Sequence, residues 1–250
     1  MRYLIAILLS SILSCTSHKE PHKTVRTDSI DPDIVLINIG DNTNRSEIAE
    51  MLNEINECYP LIVGVDIFFS QQTDSIQESA LGKSLQQCNN LVLAFGYDTL
   101  YNEMRSESIF RRYARGEGYV NSYTTRGITD QIMPVMERYG AKSESFSTVI
   151  AKLWKPELGI SFENNKVYPL LFFRDQSQFI VFDKSSLKDK GNCGALKNKI
   201  VLIGYLGPGE SDKFLVPLSN SKSNQTDNSY AYGLVVQANA IRTILYYAQK

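Results

Sequence analysis

Histidine is almost missing from this chain of 250 residues: the two present, His18 and His22, both precede residue 33. The rest of the chain therefore lacks the base of a Ser-His-Asp or Cys-His arrangement, which excludes hydrolysis of that kind. No apolar run reaches the roughly 20 residues of a membrane-spanning helix. Neither sign of charge dominates: 26 basic and 27 acidic residues are interspersed, with no basic stripe to neutralise a phosphate backbone, which argues against nucleic acid as a partner. There is no repeat of 20–50 residues and no Cys-x-x-Cys spacing. The one glycine-rich stretch, Gly204-Tyr205-Leu206-Gly207-Pro208-Gly209, has neither the lysine nor the spacing of a P-loop, and its proline removes a backbone donor.

What is present begins with an export signal. Arg2 precedes the mostly apolar Tyr3–Leu13, inside the length range of a signal-peptide core. Ile12-Leu13-Ser14-Cys15 follows and resembles a bacterial lipobox, in which the cysteine is acylated and becomes the first mature residue. Two acyl chains there give the stable attachment that one cannot. Residues 1–15 are therefore expected to be a lipoprotein signal, with Cys15 the lipidation site. Residues 16–32 are polar, with almost nothing to bury, and are expected to be a flexible tether. His18 and His22, spaced four apart without a helix to align them, read as solvated linker residues rather than a metal site.

Residues 33–250 are expected to form a single α/β domain with a mainly parallel central sheet flanked by helices. A continuous apolar run suits a strand buried on both faces, and three recur early: Ile34–Ile39, Leu61–Ile67 and Leu91–Phe95. Between them, Ile48, Met51, Leu52 and Ile55 keep helical spacing behind Ser46 as N-cap, and 75–87 is a second helix. This alternation calls for parallel strands. The middle is expected to be an inserted mixed or antiparallel region. Residues 97–115 are read as partly helical, and Gly116–Asn121 as a strand in a hairpin with 124–134 turned at Arg126-Gly127. A helix follows over 145–154, then strands over 167–173 and 178–182. The pattern returns with a strand over 199–204, a polar loop over 205–230, and a helix over 233–247. Cys58 and Cys88 each stand at a helix end before a strand. With Cys193 they leave at most one pair within the domain, and free thiols are the expectation.

The order of these pieces resembles the second type of CHASE domain, a sensory extracellular domain of bacterial cyclases and histidine kinases. The resemblance rests on Val35-Leu36-Ile37-Asn38-Ile39-Gly40-Asp41, Gly64-Val65-Asp66-Ile67-Phe68-Phe69, Gly118-Tyr119-Val120-Asn121, Lys199-Ile200-Val201-Leu202-Ile203-Gly204, Asp212–Pro217 and Gly233–Ile241. It implies a sensor role. Members usually start with a membrane helix and continue into a cytoplasmic output module, so a stand-alone lipoprotein without one is expected here. After Asn121 the chain has Thr124-Thr125-Arg126-Gly127 where the family has an aspartate-glycine pair, and no ligand role is assigned to that loop.

Asp41 and Asp66 fall at carboxyl ends of expected parallel strands. Gly204 falls at the same end of another, and Asp212 in the loop after it. Ligands of open α/β sheets collect outside those ends. Three carboxylates and a glycine are therefore expected to converge on a polar ligand or a divalent cation such as Mg²⁺ or Ca²⁺. The alternative is that the aspartates cap helices and satisfy loop amides. Asn239 and Gln237 are read either as pocket residues or as hydrogen-bonding partners of the adjoining loop. No cofactor is expected. The expected partners are an unknown small ligand or an envelope signalling protein, with the membrane reached through the lipid anchor. The competing readings are an assembly lipoprotein with no small ligand and, more remotely, a carboxylate-only hydrolase built on Asp41 and Asp66.

Overall fold

The computed structural model describes residues 29–41, 43–70, 74–207, 212–217 and 229–250. The expected signal, Cys15, His18 and His22 lie outside the described residues. The chain opens on β1 (Ile34–Asn38), α1 (Arg45–Asn56), β2 (Ile62–Val65), α2 (Ser75–Gln87) and β3 (Leu91–Tyr97). It continues through β4 (Glu103–Met104), α3 (Ser108–Arg111), β5 (Gly116–Tyr119), β6 (Tyr123–Thr125), β7 (Ile128–Ile132), β8 (Val135–Arg138), β9 (Ala141–Glu144) and α4 (Phe146–Trp154). It closes with β10 (Tyr168–Pro169), β11 (Ile180–Asp183), α5 (Lys184–Leu187), α6 (Cys193–Leu196), β12 (Ile200–Gly204), β13 (Lys213–Val216), β14 (Ser229–Tyr232) and α7 (Gly233–Ala248).

The central sheet runs β11-β1-β12-β2-β3-β5 with every neighbouring pair parallel, and β4 pairs antiparallel with the end of β3. Successive side chains of a strand point to opposite faces, and both faces are apolar here. Ile34, Leu36, Ile62, Val92, Ile200 and Leu202 meet α4 and α7. Val35, Ile37, Val63, Leu91, Val201 and Ile203 meet α1 and α2. Two-sided burial explains the continuous apolar runs in place of alternation. Helix α4 lies very close to β5: a Cβ on Gly118 would sit 2.4 Å from Phe146 Cα, so only glycine permits this approach.

Several local expectations are corrected. Helix α1 is capped by Asn44, not Ser46, because Glu47 at the third helical position completes a reciprocal capping box with Asn44. Arg126-Gly127 does turn a hairpin, but between β6 and β7; Gly116–Tyr119 instead joins the central sheet beside β3. The expected strand over 167–173 shrinks to two residues. Beyond it the backbone is held by side chains of α7: Thr243 Oγ1 accepts the Leu171 amide at 3.1 Å, and Asn239 Oδ1 accepts the Phe173 amide at 2.9 Å.

The tether ends earlier than its composition implies. The Asp31 amide donates to Gln178 O, and its carboxylate accepts the Asp33 and Ile34 amides, each at 2.9 Å. Arg242 and Arg174 both pair with that carboxylate, Arg242 also reaches Asp33 at 2.9 Å, and its guanidinium lies over Trp154. Burial alone would raise the Asp31 carboxyl. The Arg242 hydrogen bonds and charge, with the two amides, hold it below the usual carboxylate range.

Of the three described cysteines, Cys88 alone is a free thiol, buried, and burial pushes it up to about 11. Cys58, just after α1, and Cys193, at the start of α6, form a disulfide with Cα atoms 4.8 Å apart and 135 residues between them. Closing so long a loop restricts the unfolded chain, and Cys193→Ser is expected to cost about 2–4 kcal/mol. Urea melts with and without reductant check this: reductant should weaken the parent to the level of the variant and leave the variant unchanged.

Candidate functional site

At the carboxyl ends of β1, β12 and β2 the chain leaves the sheet in three neighbouring loops. The Asp66 amide donates to Ile203 O at 2.8 Å, extending the ladder one residue past β2 and setting Asp66 beside the end of β12. Gly204 makes room there, since a Cβ on it would lie 3.4 Å from Asp66 Cβ and 3.0 Å from Leu234 Cδ1. Asn38, last in β1, ties the loops together: its Oδ1 accepts the Gly40 and Leu206 amides, each at 3.0 Å, and its Nδ2 donates to Asp183.

A half-enclosed cavity of about 430 Å³ opens above this edge, with Asp66 and Asp212 in its lining. Its walls are the rings of Phe68, Tyr205 and Phe214 with the aliphatic Ile39, Ile67, Val120 and Val236. Ser122 and Gln237 complete the polar lining, and Gln237 Nε2 donates to Val120 O at 3.2 Å. No basic side chain is among the described lining residues.

The two aspartates are held differently. Asp212 has a left-handed backbone (φ 61°), which aspartate tolerates better than most residues, and its carbonyl accepts the Gly233 amide at 2.9 Å. Its carboxylate lies so close over Gly233 that a Cβ there would be 2.6 Å from Oδ2. Gly233 opens α7, whose cap residue Tyr232 has no side-chain capping bond. Asp212 therefore faces the electropositive first turn of that helix and serves in part as its cap. Asp66 has no such support: it is half-buried, and its carboxylate accepts no hydrogen bond from any described residue and opens onto the cavity. Burial pushes the Asp66 carboxyl up to about 7, and the charge of Asp212 adds to this. Burial also pushes Asp212 up to about 6, opposed by the Gly233 amide.

Of the residues expected to converge, the structure brings together Asp66, Asp212 and Gly204. Asp41 stands at the same edge of the sheet but is exposed in the turn after Gly40 and does not line the cavity. Asn239 is fully buried elsewhere: Oδ1 accepts the Phe173 and Arg174 amides, and Nδ2 donates to Arg174 O and Val235 O. Its hydrogen bonds hold a loop, whereas Gln237, two residues earlier on α7, lines the cavity. Among the described residues no three metal-ligating side chains come together, so the expected set of three carboxylates is not assembled. The aromatic walls were missed because Phe68 and Tyr205 stand in separate loops, Phe214 stands in β13, and the three share no sequence spacing.

A family model described as CHASE2 domain matches residues 19–250. No curated protein and no solved structure matches the chain. Among the described residues no helix is long and apolar enough to cross a membrane.

Proposed function

This chain belongs to the CHASE2 domain family, whose members are extracellular sensory domains, and from that premise we propose that it senses a small molecule taken into the cavity at the strand ends, while acyl groups on Cys15 hold it at the cell envelope. The observation that carries the reading is the cavity itself. It sits where open α/β sheets take their ligands, it has the volume of a small-molecule site, and it keeps a carboxylate without a hydrogen-bond partner facing its interior. Burying such a group without compensation costs stability, a cost that a bound ligand offsets.

The full chain screened against small metabolites by thermal shift tests this. A ligand present at 100 times its Kd adds about 2.7 kcal/mol, which is several degrees for a domain of this size. Ser122→Trp, which plugs the lining from a half-buried position, is expected to abolish the shift. Ligands that stabilise the plugged variant equally, or no ligand at all, would favour an assembly lipoprotein. For the anchor, Cys15→Ser is expected to move the protein from the membrane to the soluble fraction after cell lysis; unchanged membrane association rejects acylation at that residue.

A further inference from the structure

We infer that the cavity takes an organic ammonium ion, its charged nitrogen held by Asp66 and Asp212 and its apolar body lying against Phe68, Tyr205 and Phe214. This rests on the small-molecule reading above and narrows it to one ligand class. The described lining contains two carboxylates and no lysine or arginine, so a phosphate or carboxylate ligand would meet repulsion without an opposing charge. A neutral ligand would leave the Asp66 carboxylate desolvated and uncompensated. An inorganic divalent cation asks for six or more oxygen ligands. Here the remaining walls are mostly rings and aliphatic chains, with only Ser122 and Gln237 adding polar side chains, and no third metal-ligating carboxylate, histidine or cysteine joins the pair among the described residues. An ammonium head on an apolar body satisfies both halves of the lining: the carboxylates neutralise the charge, and ring faces attract whatever cationic surface they touch.

Binding is linked to protons. Among the described residues, the charged and titratable groups facing Asp66 are Asp212, from the segment leading into β13, and Tyr205, from the loop after β12; α7 contributes Gly233 and the neutral Gln237. Lys213, next to Asp212, lies over the Tyr232 ring at 5.3 Å and is not in the lining. Each carboxyl, raised by burial, must be ionised to hold the ammonium, so affinity rises with pH between 5 and 8.

Titration calorimetry on the full chain tests this with 2-phenylethylammonium, hexylammonium and choline. 2-Phenylethanol and phenylacetate serve as neutral and anionic counterparts, and calcium chloride as the inorganic cation. At least one ammonium ion is expected to bind, at least tenfold tighter at pH 8 than at pH 5, with at least tenfold loss in both Ser122→Trp and Asp66→Asn. Binding of 2-phenylethanol or phenylacetate that Ser122→Trp abolishes, without ammonium binding, would overturn the ammonium assignment and leave the small-molecule cavity standing. Calcium binding alone, lost in Asp66→Asn, overturns the assignment in favour of a metal site. Ammonium binding that both variants leave intact places the ligand elsewhere and overturns the assignment. If no compound binds and the metabolite screen is also empty, both readings fall.

Discussion

Replacing Asp31 with alanine is expected to destabilise the protein by about 3–5 kcal/mol, the usual cost of removing one partner from a buried ion pair. The Asp31 side chain is fully buried, and its carboxylate serves Arg242, Arg174 and two backbone amides at the start of β1. Its loss leaves two guanidinium groups, 18 % and 10 % exposed, without that partner, and leaves the Asp33 and Ile34 amides to find another acceptor. Asp31→Asn keeps an oxygen for the amides and should cost less than alanine. Thermal melts decide the matter: alanine should lower Tm by roughly 10 °C, and a loss under about 1 kcal/mol would reduce the cluster to the standing of a surface pair. The cluster also sets an acid limit. The folded carboxyl is held below its unfolded value, so its stabilisation is complete above pH ~4 and is lost as pH falls through the folded value.

Asp66→Asn is expected to do the opposite and stabilise the ligand-free protein at pH 8, by roughly 2 kcal/mol or several degrees in Tm, since the half-buried carboxylate keeps some contact with water. Its carboxyl titrates near 7 in the folded protein and near 4 in the unfolded chain. Below pH ~4 both states are protonated and the residue contributes nothing. Between 4 and 7 the unfolded chain ionises first, so stability falls as pH rises, and above 7 the full penalty of a buried charge applies. Asp212, raised to about 6 but exposed, acts in the same direction more weakly and over a narrower range. The parent protein should therefore be most stable in mildly acidic solution, near pH ~4–5, above the region where Asp31 is lost. Melts of parent and variant at pH 8 and pH 4.5 check this: the advantage of asparagine should be large at the first and vanish at the second. A variant weaker than the parent at pH 8 would mean that Asp66 is a structural ion rather than a strained one. Under the proposed function, a bound cationic ligand would recover the stability given up at this site.

Much of the secondary structure was legible because its signals are local. Helix α2 occupies 75–87 as expected from the alternation of helices and strands, capped by Asp74. The apolar runs at Ile34, Ile62, Leu91 and Ile200 became the buried strands. Where reading failed, a distant partner had taken over a local role. Residues 170–174 carry strand-like side chains, but beyond Leu170 the amides of Leu171, Phe173 and Arg174 bond to Thr243 and Asn239 on α7 rather than to a ladder. Asp31 sits in a stretch whose composition resembles a linker, and Arg174, Gln178 and Arg242, more than 140 residues later, make it part of the fold. Asn239 and Gln237 lie on one helix with similar chemistry, yet one faces a buried loop and the other the cavity; two helical residues turn a side chain through about 200°.

By itself the sequence determined the alternation of strands and helices, the burial of the strands on both faces, and the placing of Asp66 at a strand's carboxyl end, since each follows from side-chain pattern over a few residues. Only the tertiary structure decided that β12, from late in the chain, enters between β1 and β2. That insertion sets Gly204 against Asp66 and carries Asp212 to the same cavity, and the segment just before β12 brings Cys193 to Cys58. Strand order depends on how all the apolar faces pack at once, and residues far apart in the chain become neighbours only when that packing is complete.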